Sequence, residues 1–377
     1  MRTLEASFSF TVAVLSILLG VAVWKPTLWA ASAPDRQELV NKLIEGASKE
    51  GKLVIAGNSS LGEDGARAYG EAFKARFGLK NLRFEYDLEG YRGTTHSQAI
   101  METKTGLPPT YDVMNATDHR AVTHMEAGGV QPIENWQALL PERVNARFAS
   151  PSVVAGHAFL FATRIKTNSY NEKLISYEAM PRTTRDVGLP KFKDKFYLAP
   201  FPTSAQFGIL LYSKEEWLKI LEGWGRNKML TLETNAGAQR MAVGEFAFEP
   251  FSNDYIHLRY KEKGDPIGMH LFEDLTPLSY IFYFVRKNAL HANAAKLFTL
   301  WATGPEAVQV FEKYSWTGNV HVKESRIGAT VTDVVNKKGG KVISWFDSPK
   351  NFEVLKWYAT KEGLDYQDQF ERALGLK

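Results

Sequence analysis

The stretch "KLVIAGNSSLGEDGARAYGEAFKARFG" (52–78) decides the fold class, because it joins a strand to a helix through a polar turn. Residues 52–57 are an apolar run of strand length, and residues 65–78 have the apolar spacing of a helix that ends at a glycine. Three polar residues follow the strand: Asn58, Ser59 and Ser60. A strand followed directly by a helix is the repeating unit of an α/β fold.

The same alternation extends outward on both sides of this stretch. The apolar spacing predicts helices over 35–52 and 94–106, and strands over 82–88 and 111–117. We therefore expect an open, mainly parallel α/β sheet. A second α/β region follows from residue 157 onward, which agrees with a chain of 377 residues and about two domains.

Composition excludes several classes of function. The 46 basic and 42 acidic residues are mixed along the chain and give a net charge of +4, so we expect no nucleic-acid partner. The chain has no cysteine, which excludes structural disulfides, thiolate metal sites and cysteine nucleophiles.

The N-terminus predicts a secretory signal peptide over residues 1–33. Arg2 precedes an uncharged run from Ala6 to Trp24, and the small residues Ala-Ser-Ala end the segment at Ala33. We expect cleavage between Ala30 and Ala33 and a periplasmic product. The alternative is a membrane anchor, since an uncharged run of this length just spans a bilayer.

Polar residues follow four predicted strands and predict a single ligand cleft. They are Asn58-Ser59-Ser60, the run from Tyr91 through Arg92 to Thr95, Thr117-Asp118, and Thr203-Ser204. Ligands of open α/β sheets bind at the carboxyl ends of strands, and helix N-termini there attract anions. Arg92 is the candidate for a carboxylate or phosphate. Ordinary helix capping is the alternative at each position, with Asp118 an expected N-cap.

Catalytic signatures are missing from the sequence. It contains no G-x-S-x-G, H-E-x-x-H, G-x-x-x-x-G-K-[ST] or G-x-G-x-x-G motif. We therefore expect no enzyme activity, no cofactor and no metal. A secreted enzyme whose catalytic residues meet only in the folded chain stays as an alternative.

Five segments together resemble periplasmic solute-binding proteins of ABC importers, in the branch that holds ferric-ion, thiamine and phosphonate binders. The segments are "LVNKLIEGASKEGKLVIAG" (39–57), "YDVMNATD" (111–118), "PTSAQF" (202–207), "VGEFAF" with "NDY" (243–255), and "EDLTPLSY" with "ALHANAAKLFTLWATGPEAVQVF" (273–311). The resemblance implies a type II periplasmic binding protein fold, with two α/β lobes and a ligand cleft between them. It places lobe 1 at 34–160 plus 277–322 and lobe 2 at 161–276 plus 323–377, with hinge strands near 161–167 and 275–280.

The resemblance also implies which residues contact the ligand. Ferric-ion binders offer a helix N-terminus to an anion at the Pro-Thr-Ser junction, which here adds Ala205 and Gln206 to Thr203 and Ser204. Two further polar contacts correspond to Asn235 and Ser252. The iron ligands of that branch correspond to Ser60, Thr117 and the pair Asp254-Tyr255, so one ligand of four is retained. Hydroxyl groups are poor ligands for a hard, highly charged cation.

We therefore expect a substrate-binding component of an ABC transporter that captures a small, anionic organic solute and delivers it to a membrane permease. The alternative within this class is a ferric-ion carrier. Alternatives from other classes are a secreted enzyme on a two-lobed scaffold and a membrane-anchored sensor module.

Overall fold

The computed structural model describes residues 33–199 and 202–377. The predicted signal peptide lies outside these residues, except for Ala33, which begins the first helix. Within the described part of the chain, no helix combines the length and the apolar character that crossing a membrane requires.

The main sheet contains eight strands in the order β2-β1-β3-β9-β4-β7, with β10 beside β9 and β8 beside β4. A separate pair is formed by β5 and β6. The strands are β1 (Lys52–Ala56), β2 (Arg83–Asp87), β3 (Val113–Thr117), β4 (Phe159–Asn171), β5 (Tyr197–Leu198), β6 (Leu230–Thr231), β7 (Phe248–Asn253), β8 (Ile267–His270), β9 (Thr276–Val285) and β10 (Val342–Ile343).

The α-helices alternate with these strands in the first half of the chain and cluster toward its end. They are α1 (Ala33–Glu50), α2 (Gly62–Phe77), α3 (Gly93–Thr105), α4 (Asp118–Glu126), α5 (Trp136–Leu139), α6 (Ala146–Ala149), α7 (Lys214–Asn227), α8 (Thr234–Ala242), α9 (Asp254–Glu262), α10 (Ala292–Trp301), α11 (Pro305–Ser315), α12 (Arg326–Lys338), α13 (Pro349–Trp357) and α14 (Lys361–Ala373).

The first strands are parallel, as predicted, because β1 pairs in parallel with both β2 and β3. The sheet as a whole is mixed and not mainly parallel, because β9 runs antiparallel to β3 and β4, and β4 runs antiparallel to β7 and β8. Gly78 ends α2 in the left-handed region at φ 69°, where glycine carries no steric penalty. The prediction that Asp118 is the N-cap of α4 is wrong, because Thr117 occupies that position. The Asp118 carboxylate instead accepts a hydrogen bond from the amide of Tyr280 at 2.7 Å.

Strand β4 connects the two halves of the sheet. It is 13 residues long and pairs antiparallel with β9 through its first half and with β7 and β8 through its second half. Its register shifts between Leu160 and Ala162, and again between Thr167 and Ser169. Such bulges increase the local twist and bend a strand. The stretch between them, residues 163–166, therefore runs between two bends.

Hydrophobic side chains form two large cores. One packs α1, α2, α10 and α11 against β1 and the start of β4. The other begins at β3 and α4, continues through β4 and β9, and reaches the C-terminal helices α13 and α14. The second core thus extends along both strands that join the two halves of the sheet.

The segment after β5 differs from its predicted form. The sequence predicts a strand over 195–201 and a short helix from Gln206, but the strand is two residues long and residues Pro202–Leu210 form a 3₁₀ helix. Ser213 and Glu216 have the spacing of a capping box, and the Ser213 side chain accepts a hydrogen bond from the amide of Glu216 as this spacing predicts.

A cationic cavity at the crossing strands

A cavity of about 340 Å³ lies where β4 and β9 cross between the two halves of the sheet. Its lining comes from α4 and β9 on one side, and from β4, β7, the 3₁₀ segment Pro202–Leu210 and the loop before α13 on the other. The cavity therefore draws on both sides of the crossing strands.

Three basic side chains line this cavity: Arg120, Arg164 and Lys166. Among the described residues, none of them forms a salt bridge. Arg120 donates to the carbonyl of Tyr91 and also lies over its ring, with 4.8 Å from the guanidinium carbon to the ring centroid. The buried Nε of Arg164 has no hydrogen-bond partner in the described part of the chain. An unpaired, buried donor is costly, so it points to a missing acceptor.

Lys166 lies between several polar groups. Its Nζ donates to Asn253 Oδ1 at 2.6 Å. Burial, aided by the nearby charge of Arg164, lowers the pKa of Lys166 to about 8. An anion placed in the cavity would raise this pKa again, because opposite charge favours the ammonium form.

Two carboxyl groups also line the cavity, Asp118 and Glu249. Burial raises the pKa of each to about 7, against the hydrogen bonds that each accepts. Glu249 accepts from the hydroxyl of Tyr197 at 2.7 Å. Both groups therefore change protonation state near neutral pH and can donate as well as accept a hydrogen bond there.

Three α-helices begin at the cavity wall. Thr117 is the N-cap of α4 and Asn253 is the N-cap of α9, and neither side chain accepts a hydrogen bond from its own helix. Thr234, the first residue of α8, lines the same space. Helix N-termini carry partial positive charge, so α4 and α9 add to the attraction for an anion. The first amides of α8 already donate to the Glu233 carboxylate.

The 3₁₀ segment is held in place by two hydrogen bonds from aromatic side chains. The indole of Trp217 donates to the carbonyl of Ala205 at 2.8 Å, and the hydroxyl of Tyr358 donates to the carbonyl of Gln206 at 3.1 Å. Phe207 of this segment packs on Trp345, with ring centroids 4.3 Å apart. These two rings form an aromatic wall of the cavity.

Several residues predicted from the sequence lie at this cavity. Thr117, Ser204 and Gln206 line it. Four more lie next to lining residues: Ala205, Ser252, Asp254 and Tyr255. The Asp254 carboxylate accepts from the amides of Ile165 at 3.0 Å and Tyr255 at 2.8 Å, and burial raises its pKa to about 6. The guanidinium carbon of Arg164 lies 5.5 Å from the ring centroid of Tyr255.

Other predicted residues lie elsewhere. The Asn58 side chain accepts from the amide of Ser60, and the Asn58 amide donates to the hydroxyl of Tyr86. The structure places the following outside the cavity lining: Asn58, Ser59, Ser60, Arg92 and Asn235. The Arg92 side chain is 67% exposed and pairs with Glu89. The Asn235 amide donates to Glu233 in the cap of α8. The side chain of Thr203 lies outside the described part of the structure.

The sequence reading missed the three basic residues and Glu249. The sequence does contain a signal for Arg164 and Lys166: they are two residues apart, and the other residues of the strand segment "FLFATRIKTN" (159–168) are uncharged. Residues two apart in a strand share a face, and charges in a buried strand require a partner. Arg120 gave no such signal, because cations on a helix are ordinarily solvent-exposed.

The donors of the cavity, among the described residues, do not form the ligand set of a metal site. Across the described residues, no group of three or more His, Asp or Glu side chains is arranged to hold a metal ion. The tyrosine retained from the ferric-ion pattern, Tyr255, faces a guanidinium group, and burial raises its pKa. A tyrosinate ligand would require the opposite shift.

No protein-family model matches the chain, and no curated protein matches it in sequence. Solved structures do match its fold. The substrate-binding protein of an ABC transporter from Agrobacterium tumefaciens is similar with a TM-score of 0.65 at 15% identity, over 86% of this chain and 94% of that one. The periplasmic binding protein AfuA from Actinobacillus pleuropneumoniae, with fructose-6-phosphate bound, is similar with a TM-score of 0.64 at 18% identity, over 86% and 99%.

An iron-binding protein is among these structures as well. The Trichodesmium protein IdiA (FutA), in complex with iron and citrate, is similar with a TM-score of 0.58 at 20% identity, over 77% of this chain and 100% of that one. The chain therefore has the type II periplasmic binding protein fold that we expected. The ligands of these structures differ, so the fold leaves the ligand class open.

Proposed function

We propose that this protein is the substrate-binding component of an ABC transporter and captures a small organic anion. One observation carries the proposal: Arg120, Arg164 and Lys166 line one cavity, and none of them forms a salt bridge among the described residues, although the buried carboxyl groups of Asp118 and Glu249 line it as well. Charges so placed are costly unless a ligand neutralises them.

Closure of two lobes about the crossing strands is the proposed mechanism. We assign lobe 1 to 34–160 plus 277–322 and lobe 2 to 161–276 plus 323–377. Arg120 and the start of α4 then belong to lobe 1, while Arg164, Lys166 and the 3₁₀ segment belong to lobe 2. A solute that contacts both sets favours the closed form, because it binds that form more tightly. Closure also excludes water and strengthens each charge interaction.

The proposed setting is the periplasm, and the proposed partner is a membrane permease. The signal-peptide pattern of residues 1–33 supports export, and the fold supports a role in solute delivery without covalent chemistry. Intact-mass measurement of the secreted protein distinguishes cleavage from a retained anchor: loss of about the first 30 residues is expected, and a full-length mass would contradict export as a free protein.

Native mass spectrometry of freshly purified protein tests the proposed function. We expect a co-purified anionic solute that stabilises the emptied protein when it is added back. A ligand at 100 times its Kd adds about 2.7 kcal/mol to the free energy of unfolding. The solute should be recovered unchanged. Its chemical conversion would instead support the secreted enzyme.

Ferric ion is the alternative that the similarity to iron-bound structures supports. Ferric loading tests it, since tyrosinate coordination colours a protein. We expect the loaded and desalted protein to be colourless and free of iron. Retained iron with a visible charge-transfer band would show that the protein carries ferric ion, and would overturn the proposal of an organic anion.

A further inference from the structure

We propose that the solute is a phosphorylated sugar or polyol, with its phosphate on Arg164, Lys166 and Arg120 and its hydroxylated body against Trp345. This inference rests on the proposed function and narrows it to a substrate class. The substrate class is inferred from the hydrogen-bond donors, the acceptors and the aromatic rings that line the cavity.

The cationic part of the cavity fits a doubly charged group. Arg164 and Lys166 share one face of β4, opposite Ser279 of β9 and Asn253 of β7 respectively. Arg120 belongs to α4, whose N-terminus opens on the same space. Guanidinium groups bind phosphate oxygens in pairs, and a lysine acts as a point charge beside them. Three cations with helix N-termini suit a dianion better than a single carboxylate.

The remaining polar lining fits hydroxyl groups. Glu249, Asp118 and Gln206 present side-chain acceptors to the cavity, and Ser204 and Ser279 present hydroxyls. A sugar hydroxyl both donates and accepts, so it matches carboxyl groups that are partly protonated at neutral pH. Burial keeps the pKa of both carboxyl groups near 7, which provides that state.

The aromatic wall fits the apolar face of a sugar. Trp345 is only 1% exposed, yet it lines the cavity beside Phe207. No described residue accepts a hydrogen bond from its indole N–H, whereas the indoles of Trp217 and Trp224 donate to backbone carbonyls. An indole N–H that no described residue satisfies is free to donate to a ligand in the cavity, and we expect a ligand oxygen to be its partner.

A zwitterionic amino acid is the main rival class. Its ammonium group would need free carboxylate oxygens, whereas Oε2 of Glu249 already accepts from the hydroxyl of Tyr197. The Oδ1 atom of Asp118 also already accepts from the Tyr280 amide. Dicarboxylates would satisfy the cations but would place a second charge among the acidic side chains.

Isothermal titration calorimetry of the secreted protein with six probes tests the inference. The probes are fructose 6-phosphate, sorbitol 6-phosphate, fructose, inorganic phosphate and glutarate, with 4-aminobutyrate as the zwitterion. We expect a phosphate ester to bind at least ~100-fold more tightly than fructose, phosphate, glutarate or 4-aminobutyrate, since charged hydrogen bonds and the body contacts are both required.

Two variants separate the parts of the site. Trp345→Phe keeps the aromatic wall but removes the indole donor. It should lower the affinity for the sugar phosphate by about 10-fold and change the affinity for inorganic phosphate by no more than about 2-fold. Arg164→Met should lower the affinity for both probes. Equal losses for both probes in Trp345→Phe would contradict contact with the sugar body.

The outcomes distinguish the inference from the proposed function. Preferred binding of glutarate or 4-aminobutyrate would overturn the phosphorylated class and leave the solute receptor intact. Absence of binding by every probe, together with a co-purified solute that lacks phosphate, would overturn the class too. Absence of any stabilising solute would overturn the proposed function itself.

Discussion

Arg164 is the residue on which the anion site depends most. Its guanidinium lies in the cavity wall over the ring of Tyr255, and its buried Nε has no hydrogen-bond partner among the described residues. A cation in this state is stabilised by whatever anion the cavity accepts. Its removal should therefore affect binding much more than folding.

The first prediction concerns Arg164→Met compared with Arg92→Met. We expect Arg164→Met to lower the affinity for the co-purified anion by about 10- to 100-fold, since a charged hydrogen bond contributes about 1.5–3 kcal/mol. Arg92→Met tests the role that the sequence predicts for Arg92, and from its exposed position we expect a change within about 2-fold. Titration calorimetry checks both. A larger loss in Arg92→Met would move the anion site toward α3.

The second prediction concerns the pH dependence that Asp118 imposes on the ligand-free protein. Its pKa is about 7 in the folded chain against 3.8 ordinarily, so the folded state holds a proton that the unfolded chain releases between these values. The stability contribution of Asp118 is full below about pH 4 and is lost as pH rises through 7.

Asp118→Asn removes this dependence and keeps an acceptor for the Tyr280 amide. The melting temperature of the variant relative to the native protein should therefore rise between pH 5 and pH 8. The corresponding gain in the free energy of unfolding is at most a few kcal/mol, because one pKa unit corresponds to about 1.4 kcal/mol. A difference that stays constant with pH would show that Asp118 is ionised throughout.

The sequence predicts side chains well only where local chemistry decides them. Ser213 caps its helix as the sequence predicts, because that contact spans three residues. Thr117, Ser204 and Gln206, which the sequence places near strand ends, lie at the cavity. The sequence does not predict Arg120 at the cavity, because its position there depends on how α4 packs against β9, which no local pattern encodes.

At the scale of elements, the 3₁₀ segment Pro202–Leu210 depends on α7 and α13 for its position. Trp217 of α7 donates to Ala205, and its ring occupies the place where a Cβ on Gly208 would lie, 2.0 Å from the nearest ring atom. Tyr358, which follows α13, donates to Gln206. The cavity wall is thus supported from behind by aromatic rings.

The third prediction follows from this support. Trp217→Phe should lower the free energy of unfolding by about 1–3 kcal/mol, because it removes the donor to Ala205 and leaves a small void. The affinity for the anion should fall with it, as the segment loosens. Gly208→Ala should destabilise more, since the ring of Trp217 cannot retreat within a packed core. Chemical denaturation measures both.

Leu218→Ala, on the partly buried face of the same helix, serves as the matched control. It should reduce stability without changing the affinity of the folded protein. Equal effects of Leu218→Ala and Trp217→Phe on affinity would contradict a specific role for the Ala205 hydrogen bond.

Elements with strong periodicity were predicted closely, and elements shaped by contacts were not. The first three strands and their helices lie within a few residues of their predicted limits. The amphipathic pattern of residues 350–375 predicts helix, and the structure divides it into α13 and α14, with Thr360 capping the second. The strand after Lys195 is short, because its pairing depends on β6, a two-residue strand distant in sequence.

At the scale of the whole molecule, buried histidines set the response to acid. The Nδ1 atom of His96 lies 2.9 Å from Nε2 of His124, and burial with the nearby charges of Arg120 and Arg286 lowers the pKa of each to about 3. Glu102 pairs with Arg286 beside them. Burial also lowers the pKa of His257, His270 and His321 to about 4.

The fourth prediction is an acid transition governed by these groups. The unfolded chain gains protons below about pH 6.5 that the folded chain accepts only near pH 3–4, so stability is full above pH 6.5 and is lost as pH falls. His124→Gln should flatten the fall in melting temperature between pH 6.5 and pH 4. His157→Gln, at a half-buried histidine outside this group, should leave it unchanged. An identical slope in both variants would contradict the assignment.

The fifth prediction concerns closure. If the two lobes close on the solute, the radius of gyration in solution should decrease when the co-purified anion is added, as measured by small-angle X-ray scattering. Arg164→Met should show no decrease at the same concentration. A radius that does not change in the native protein would mean that binding occurs in a preformed cavity without hinge motion.

The two bulges of β4 have a consequence for how this site tolerates change. Arg164 and Lys166 face the cavity only because the strand enters residue 163 in one particular phase. Deleting a single residue at the first bulge would invert that phase, sending both cations into the hydrocarbon interior and bringing Ile165 to the ligand. Insertions and deletions here are therefore far more damaging than substitutions. Related proteins that bind the same ligand should keep the number of residues between the bulge and the two cations, even where the residue types differ.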